Sequence, residues 1–473
     1  MILLSLLTIG AFAQTTIMQP GSTPVNPILA GQGGSFTANA KGYNSLFKNP
    51  AAFAMDGGDF TLLSANLWSF ADQSMVDFAT KPGGVAEYYK NIGATITESV
   101  TPDKIQSWAQ NTSPQQLIDM ASNAGLDTSG LSANDPSSVQ AFIQAQGLDT
   151  LAQNIASSSD PAAAIASADP AVLNLASSVI KDMTGGKVDL LPSGNFRLGA
   201  NIGLLGVVGE GFGVGLNVNA DASLRGQTLL DSKGYAAVTA TLTAGYAVEL
   251  IEEFLYIGAD VRPLYRVFLP VSGQQALDIA SDFSNMMKTI NSYSIYAGWG
   301  IGIDAGAIMK IGDLHIGATV TDILGTKINY SSTDVGSFLS AVQSFQLPTG
   351  TLVNDNYVIP MDVLIGVSYT LNFDEGSYLD VHGEVSNALR GIAAIQHGEK
   401  DFDYLALIHA GANLTLWDFL SIMGGYNEGY ISGGLGLDLW FVELNATGFL
   451  KANPANVGYT DFGATVEFAI RFD

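Results

Sequence analysis

From Tyr459 to Phe472 the chain alternates. Thr460, Phe462, Ala464, Val466, Phe468, Ile470 and Phe472 form an almost wholly apolar set, whereas Tyr459, Asp461, Gly463, Thr465, Glu467, Ala469 and Arg471 do not. A β-strand points successive side chains to opposite faces, so this period of two predicts a strand with one face in lipid and the other toward a polar interior. The same parity rule holds upstream. Val214, Leu216, Val218, Ala220, Ala222 and Leu224 are opposed by Gly215, Asn217, Asn219, Asp221 and Ser223. Tyr293, Ile295, Ala297, Trp299, Ile301 and Ile303 form another apolar row, and Tyr357, Ile359, Met361, Val363, Ile365, Val367, Tyr369 and Leu371 a further one. Tyr357 and Tyr369 are spaced to reach the two membrane interfaces along one tilted strand.

Strands are predicted near 60–70, 195–206, 211–225, 235–249, 254–268, 293–309, 314–329, 357–371, 377–390, 402–415 and 417–427. From Ile431 the apolar parity is odd (Leu435, Leu437, Leu439), but beyond Phe441 it is even (Val442, Leu444, Ala446). A strand cannot change faces without a bulge, so a tight turn near Trp440 and Phe441 divides this segment into two strands. With the closing strand the count is fourteen, an even number that leaves both chain ends on one side. Joints around Gly209, Glu252, Gly312, Glu375 and Asp418 are tight and the alternate joints longer, which puts the short side in the periplasm and the long side outside the cell. The fold class is thus all-β membrane: a 14-stranded antiparallel transmembrane barrel, with the barrel domain over 55–473.

Composition narrows the chemistry. The 473 residues are 47% hydrophobic and only 13% charged, yet no internal run reaches the roughly 18 to 20 apolar residues of a membrane helix. With no cysteine, thiol catalysis, disulfides and cysteine metal sites are excluded. A net charge of −25 argues against nucleic acid, which needs clustered Lys and Arg. Ile2 to Ala13 is an apolar core ending in Ala11-Phe12-Ala13, the small-x-small pattern of a cleaved signal peptide over 1–13, with Gln14 as the first mature residue.

Residues 71–192 interrupt the alternation. Thr101-Pro102, Ser113-Pro114, Asp135-Pro136, Asp160-Pro161 and Asp169-Pro170 are cap-proline pairs, and Val172, Leu175, Val179 and Met183 follow at helical spacing. They predict an α-helical insert between strands 1 and 2, on the outer side, where it could hold a protein partner. Shorter helices are predicted at 274–290 and 334–345.

By parity, Arg225, Arg262, Arg266 and Arg390 point into the lumen, as do Asp221, Asp260, Asp380 and Glu384. An inward arginine can meet the carboxylate of an amphiphile, or simply pair with an inward acid. His315, His382 and His409 lie on the non-lipid parity and His397 in a loop, so none sits where an outer-face lipase would need it. Asp380, His382 and Glu384 share one row, but one strand supplies too few convergent ligands for a metal. Alternate glycines at 209, 211, 213 and 215 relieve crowding or allow bending, and no helix follows to make a phosphate loop. Neither a catalytic group nor a cofactor is indicated.

Asp461-Phe-Gly-Ala-Thr-Val-Glu-Phe468 resembles the C-terminal sorting signal of bacterial outer-membrane proteins, although Asp473 follows the final aromatic. Ala30 to Ala54, a glycine-rich approach leading through Leu46-Phe47-Lys48-Asn49-Pro50-Ala51, resembles the N-terminal region of FadL-type long-chain fatty acid transporters. Asn49, Pro50 and Ala51 match the family motif, while Ala52 replaces the usual glycine and Phe53 a leucine or methionine. The resemblance implies that residues 14–54 fold inside the barrel as a hatch, with Asn49, Pro50 and Ala51 in gating, and that hydrophobic or amphipathic molecules such as long-chain fatty acids pass by diffusion across the outer membrane. Gly424 to Leu437 looks like the last strands of PorV-type barrels, which implies a second reading as a binder of secreted or surface proteins. A general diffusion porin is the third.

Overall fold

The computed structural model describes residues 26–472 except 56–57, 73–95, 97–100, 136, 158–167, 186–189, 191–194, 227–231, 274, 276–285, 345, 347–349, 354–356, 400–401, 428 and 453–458. The expected signal peptide and the first part of the expected hatch lie outside the described residues.

The described residues form a closed antiparallel barrel of fourteen strands. These are β1 (Asp59–Asp72), β2 (Phe196–Gly209), β3 (Phe212–Arg225), β4 (Lys233–Ile251), β5 (Leu255–Ser272), β6 (Ser294–Ile311), β7 in two pieces (Leu314–Thr321 and Thr326–Asp334), β8 in two pieces (Tyr357–Ile359 and Asp362–Asp374), β9 (Ser377–Val385), β10 (Ile408–Leu416), β11 (Leu420–Asn427), β12 (Tyr430–Leu439), β13 (Val442–Ala452) and β14 (Tyr459–Phe472). The seam joins β1 to β14, from Phe60 opposite Phe472 to Asp72 opposite Asp461. Closure satisfies the backbone in a solvent that offers no hydrogen bonds. Leu439 pairs with Val442 around Trp440 and Phe441, the turn at which the apolar parity reverses.

The outer face carries the apolar rows. Leu67, Val238, Leu242, Val261, Trp299, Ile301, Ile303, Ile365, Val367, Leu435 and Val466 are exposed, while their strand neighbours Asn66, Thr239, Thr241, Thr243, Asp260, Asp304, Ser368 and Thr465 are buried within. No described helix is long and apolar enough to cross a membrane. Ile301 stands midway along β6, so Ile301→Arg should cost about 2–4 kcal/mol in lipid. Urea unfolding of the barrel in vesicles measures this, and Ile301→Leu, which keeps the outer face apolar, is the comparison.

One predicted row is corrected. Tyr357 and Ile359 do not continue the lipid face of Ile365, Val367 and Tyr369; they pack with Tyr235, Leu264, Phe268, Ile328 and Tyr330. Pro360 has no N–H to give the ladder, and the strand is interrupted there. The facing strand is broken at the same level, where Asp322, Leu324 and Gly325 all have positive φ. Tyr357 therefore does not serve as one of two girdle aromatics.

At the long-loop end, helices α2 (Pro102–Asn111), α3 (Pro114–Asn123), α4 (Ser137–Ala145), α5 (Leu148–Ser157) and α6 (Pro170–Met183) enclose a core that includes Ile105, Leu117, Val139, Ile155, Leu175 and Val179. Thr101, Ser113 and Asp169 each accept a backbone N–H at the head of a helix that begins with proline. The core continues into Phe196, Leu224 and Val271 at strand ends, which seats the helices on that rim. Preceding all of this, helix α1 (Pro27–Gly31) and the 3-10 turns Gly42–Phe47 and Pro50–Ala54 pack against the inner wall.

Candidate functional site

The inner segment, residues 26–54, touches most of the wall. Helix α1 lies against β11 to β14, Gly42–Phe47 against β1 to β3, and Pro50–Ala54 against β2 to β6. Wall glycines make this close approach possible. A Cβ at Gly213 would stand 2.8 Å from the Phe53 ring, one at Gly215 2.6 Å from Leu46, and one at Gly258 2.5 Å from the Pro50 carbonyl. Of the alternate glycines that read as relief of crowding, Gly213 and Gly215 are the footprint of Phe53 and Leu46.

Asn49 is wholly buried and holds three partners at once. Its side-chain oxygen accepts the Ala51 N–H at 3.1 Å, and its amide donates to the Thr37 carbonyl at 2.8 Å and to the Ala307 carbonyl of β6 at 3.4 Å. It thereby caps the turn that begins at Pro50, ties two parts of the inner segment together, and fastens both to the wall. Pro50 and Ala51 pack on Gly258 of β5. The Phe53 carbonyl accepts the Gly211 N–H at 2.8 Å, joining this end to the turn between β2 and β3.

On the opposite wall the anchors are ionisable. Glu384 of β9 accepts the backbone N–H groups of Phe36 and Thr37 at 2.9 and 2.8 Å, with Lys48 Nζ 3.9 Å away. His382 Nε2 donates to the Gln32 carbonyl at 3.3 Å while its Nδ1 accepts from Asn39 at 3.4 Å. His409 Nδ1 donates to the Gly33 carbonyl at 3.2 Å, and Asp380 lies 3.7 Å from Lys41. The row Asp380, His382, Glu384 is thus committed to the inner segment. No group of three metal-ligating side chains occurs among the described residues. Glu384→Leu would strand two buried N–H groups at about 1–3 kcal/mol each. Faster amide exchange at Phe36 and Thr37, with exchange in β9 unchanged, is the expected readout.

The four arginines part company. Arg262 is buried and grips Asp304 through Nε at 2.7 Å and Nη2 at 2.8 Å, with Asp322 at 3.1 Å and Asp260 at 3.9 Å. Since Asp322 opens the break in β7, this cluster pins the interruption. Arg266 is fully buried; its Nε donates to Thr239 at 2.9 Å, and it hydrogen-bonds the Tyr330 hydroxyl. Around it Tyr235, Phe268, Tyr296 and Tyr330 pack ring to ring with centroids 5.8 to 6.3 Å apart. Arg225 is exposed at the outer end of β3. Arg390 is a correction: β9 ends at Val385, Asn387 takes a left-handed conformation, and Arg390 lies on the loop helix α7 (Ala388–His397), paired with Glu399 at 2.7 Å. That hydrogen bond holds the Glu399 carboxyl below its ordinary pKa. Asp221 pairs with Arg197 at 2.7 Å, a partner that parity did not single out.

Beneath the inner segment, toward the short-turn rim, lies a cavity of about 380 Å³. Gln32, Asn39 and Lys41 line it from the inner segment, and Asp380, Asn413, Asp438, Glu443 and Arg471 from β9 to β14. Lys41, Tyr43, Glu467 and Arg471 escaped the sequence reading, although Glu467 and Arg471 stood on the inward parity of the closing strand.

No family model matches the chain, and no curated protein matches it. Among solved structures, it is similar to the P. putida toluene transporter TodX, at 9% identity over 96% of this chain and 99% of that one, with a TM-score of 0.41. A Pseudomonas aeruginosa FadL homologue aligns at 12% identity over 97% and 100%, also at 0.41. A TodX monoaromatic hydrocarbon channel mutant aligns at 8% identity over 95% and 99%, at 0.44. These alignments run along nearly the whole chain at identities of 8–12%.

Proposed function

We propose that this barrel passes hydrophobic or amphipathic small molecules inward across the outer membrane by diffusion, with residues 26–54 as a hatch that yields to admit them. One observation carries the reading. On the long-loop side of the hatch, Tyr235, Leu264, Phe268, Ile328, Tyr330 and Ile359 of β4 to β8 form an apolar and aromatic inward patch beside the buried Arg266, in a barrel whose other inward positions are mainly Asn, Thr, Ser and Asp. The cluster is closed in this state, so an amphiphile would part its rings to lay its tail on Phe268 and Ile328 and bring its acid to the guanidinium. Long-chain fatty acids fit it, as the resemblance at Asn49 to Ala51 implies. The buried hatch argues against a general porin.

Oleate uptake by cells producing the barrel tests this. Phe268→Asp should lower uptake by about tenfold by placing a charge in the apolar path. Arg266→Leu should impair oleate more than an uncharged hydrocarbon such as toluene. Wild-type uptake no faster than in cells without the protein would reject the reading. A second reading, capture of a protein partner by the helical insert, is favoured by the packed core that holds its helices together on the rim; pull-down with the full-length barrel, with and without residues 101–183, tests it.

A further inference from the structure

We propose that helix α7 and the 3-10 turn Tyr404–Leu407, in the loop between β9 and β10, form a lipid-docking surface that seats this side of the barrel in the acyl chains of the outer leaflet. The wall is uneven in height. From the short-turn rim β4, β5 and β6 run for 19, 18 and 18 residues, but β9, β10 and β11 for only 9, 9 and 8. At a rise of about 3.3 Å per residue and a tilt of ~40°, the taller strands climb about 45 Å and the lower ones about 23 Å, against an apolar band of about 25 Å. The low wall therefore ends where hydrocarbon ends, and the loop above it starts at the membrane boundary. Trp417 and Phe419, stacked with centroids 5.9 Å apart, mark the other boundary of the same wall.

Helix α7 is built inside out for water. Its buried stripe is Ala388, Gly391 and Ala394, three small residues, while Ile392 and Ile395 are exposed, Ile395 at 67%. A helix that met water would turn its isoleucines onto the protein. A helix in lipid presses small residues against its neighbour and leaves large apolar ones to the surrounding chains. The neighbours here are β8 and the Tyr404–Leu407 turn. Polar groups gather on the far side of the helix. His397 lies about 200° around the axis from Ile395. Arg390, one helical face with His397, is held by Glu399 and lies 4.7 Å from the centre of the Phe402 ring.

Continuity identifies the occupant. The loop springs from a lipid-facing pair: Val385 ends β9, Ile408 begins β10, the two are opposite each other, and Val385 is opposite Ile365 of β8 in turn. All three are exposed on the outer face. Tyr404 and Leu405, the latter 59% exposed, stand immediately before Ile408 and carry that apolar surface past the strand ends to the helix packed beside them. A cluster of this kind facing water would be an aggregation liability. Joined to a lipid belt, it extends the belt over the low rim, as an amphipathic helix lying in a membrane interface does.

Spin-label accessibility of the full-length barrel in phosphatidylethanolamine–phosphatidylglycerol vesicles decides the matter. The chain has no cysteine, so Ile392→Cys, Ile395→Cys and His397→Cys each take one nitroxide, with Ile365→Cys as the lipid-facing standard and Gln110→Cys, on the helical insert, as the aqueous one. Labels at 392 and 395 should collide often with oxygen and seldom with a water-soluble nickel chelate, giving the oxygen-to-nickel ratio of position 365. The label at 397 should give the ratio of position 110. Nickel collisions at 395 as frequent as at 110 would overturn the proposal by showing that the isoleucines meet water. Exclusion of both reagents from 392 and 395 would overturn it in favour of a protein cover, and equal ratios at 395 and 397 would remove the amphipathic seat. Heat-modifiable gel mobility checks that each variant is folded, and should Ile395→Cys lose it, Ile392→Cys supplies the same comparison.

Discussion

Joining the hatch to the wall by a disulfide, through Gly31→Cys with Met423→Cys, is expected to stop uptake until a reductant is added. A Cβ at Gly31 would stand 3.1 Å from the Met423 Cβ, so a small outward relaxation brings the pair to the 3.5–4.5 Å that a disulfide prefers. The chain has no native cysteine, so no other bond competes. Oleate uptake by oxidised cells should fall to the level of cells without the barrel and return with dithiothreitol. Each single variant should transport equally with and without oxidant, so that only the pair responds to dithiothreitol. Undiminished uptake by the cross-linked form would mean that ligands pass without movement of the hatch at α1.

The opposite manipulation is to drive the hatch off its seat. At Gly306 of β6 an added Cβ would overlap the Asn49 side-chain oxygen and stand 3.1 Å from Pro50 Cδ. The strand itself accepts a branched residue at that point, because Gly306 does not have a positive φ. Gly306→Val therefore displaces Asn49 and breaks its bonds to Thr37 and Ala307, at about 0.5–1.5 kcal/mol for each bond. Planar bilayers should show steady conductance where the wild type is nearly silent, and cells should become permeable to small polar dyes. A silent Gly306→Val barrel with normal gel mobility would show that Asn49 does not secure closure.

The strands were readable because lipid on one side and a filled lumen on the other impose the same alternation on each. The turn at Trp440 and Phe441 was readable for a related reason: Leu439 and Val442 are paired neighbours, and a parity that flips between them leaves room for nothing but a turn. Parity reports a face, however, and not what covers it. Ile328, Tyr330 and Ile359 face inward, and an apolar residue looks the same in sequence whether it meets lipid or an aromatic cluster. Arg390 was misplaced because alternation was carried five residues past Val385, where the strand had ended.

Within the candidate site, Asn49 could be found from its neighbours, since an Asn before Pro is a recognisable cap. Its further bonds to Thr37 and Ala307 depend on tertiary contacts that no local spacing encodes. Likewise Arg262 sits opposite Gly302 in the ladder and reaches diagonally to Asp304, so inward parity named the cation but not its acids. The glycines held the overlooked signal. On the inward parity, Gly213, Gly215, Gly258 and Gly306 mark where another part of the chain must come close.

The seam between β1 and β14 has a consequence for biogenesis. Its register pairs bring one end of the barrel's sequence against the other, with Phe60 and Phe441 both stacked on Phe472. A nascent chain halted before Tyr459 would present two unpaired borders, a state that hydrocarbon does not tolerate and that invites sticking to other chains. Closure in hydrocarbon must therefore wait until β14 is available to β1.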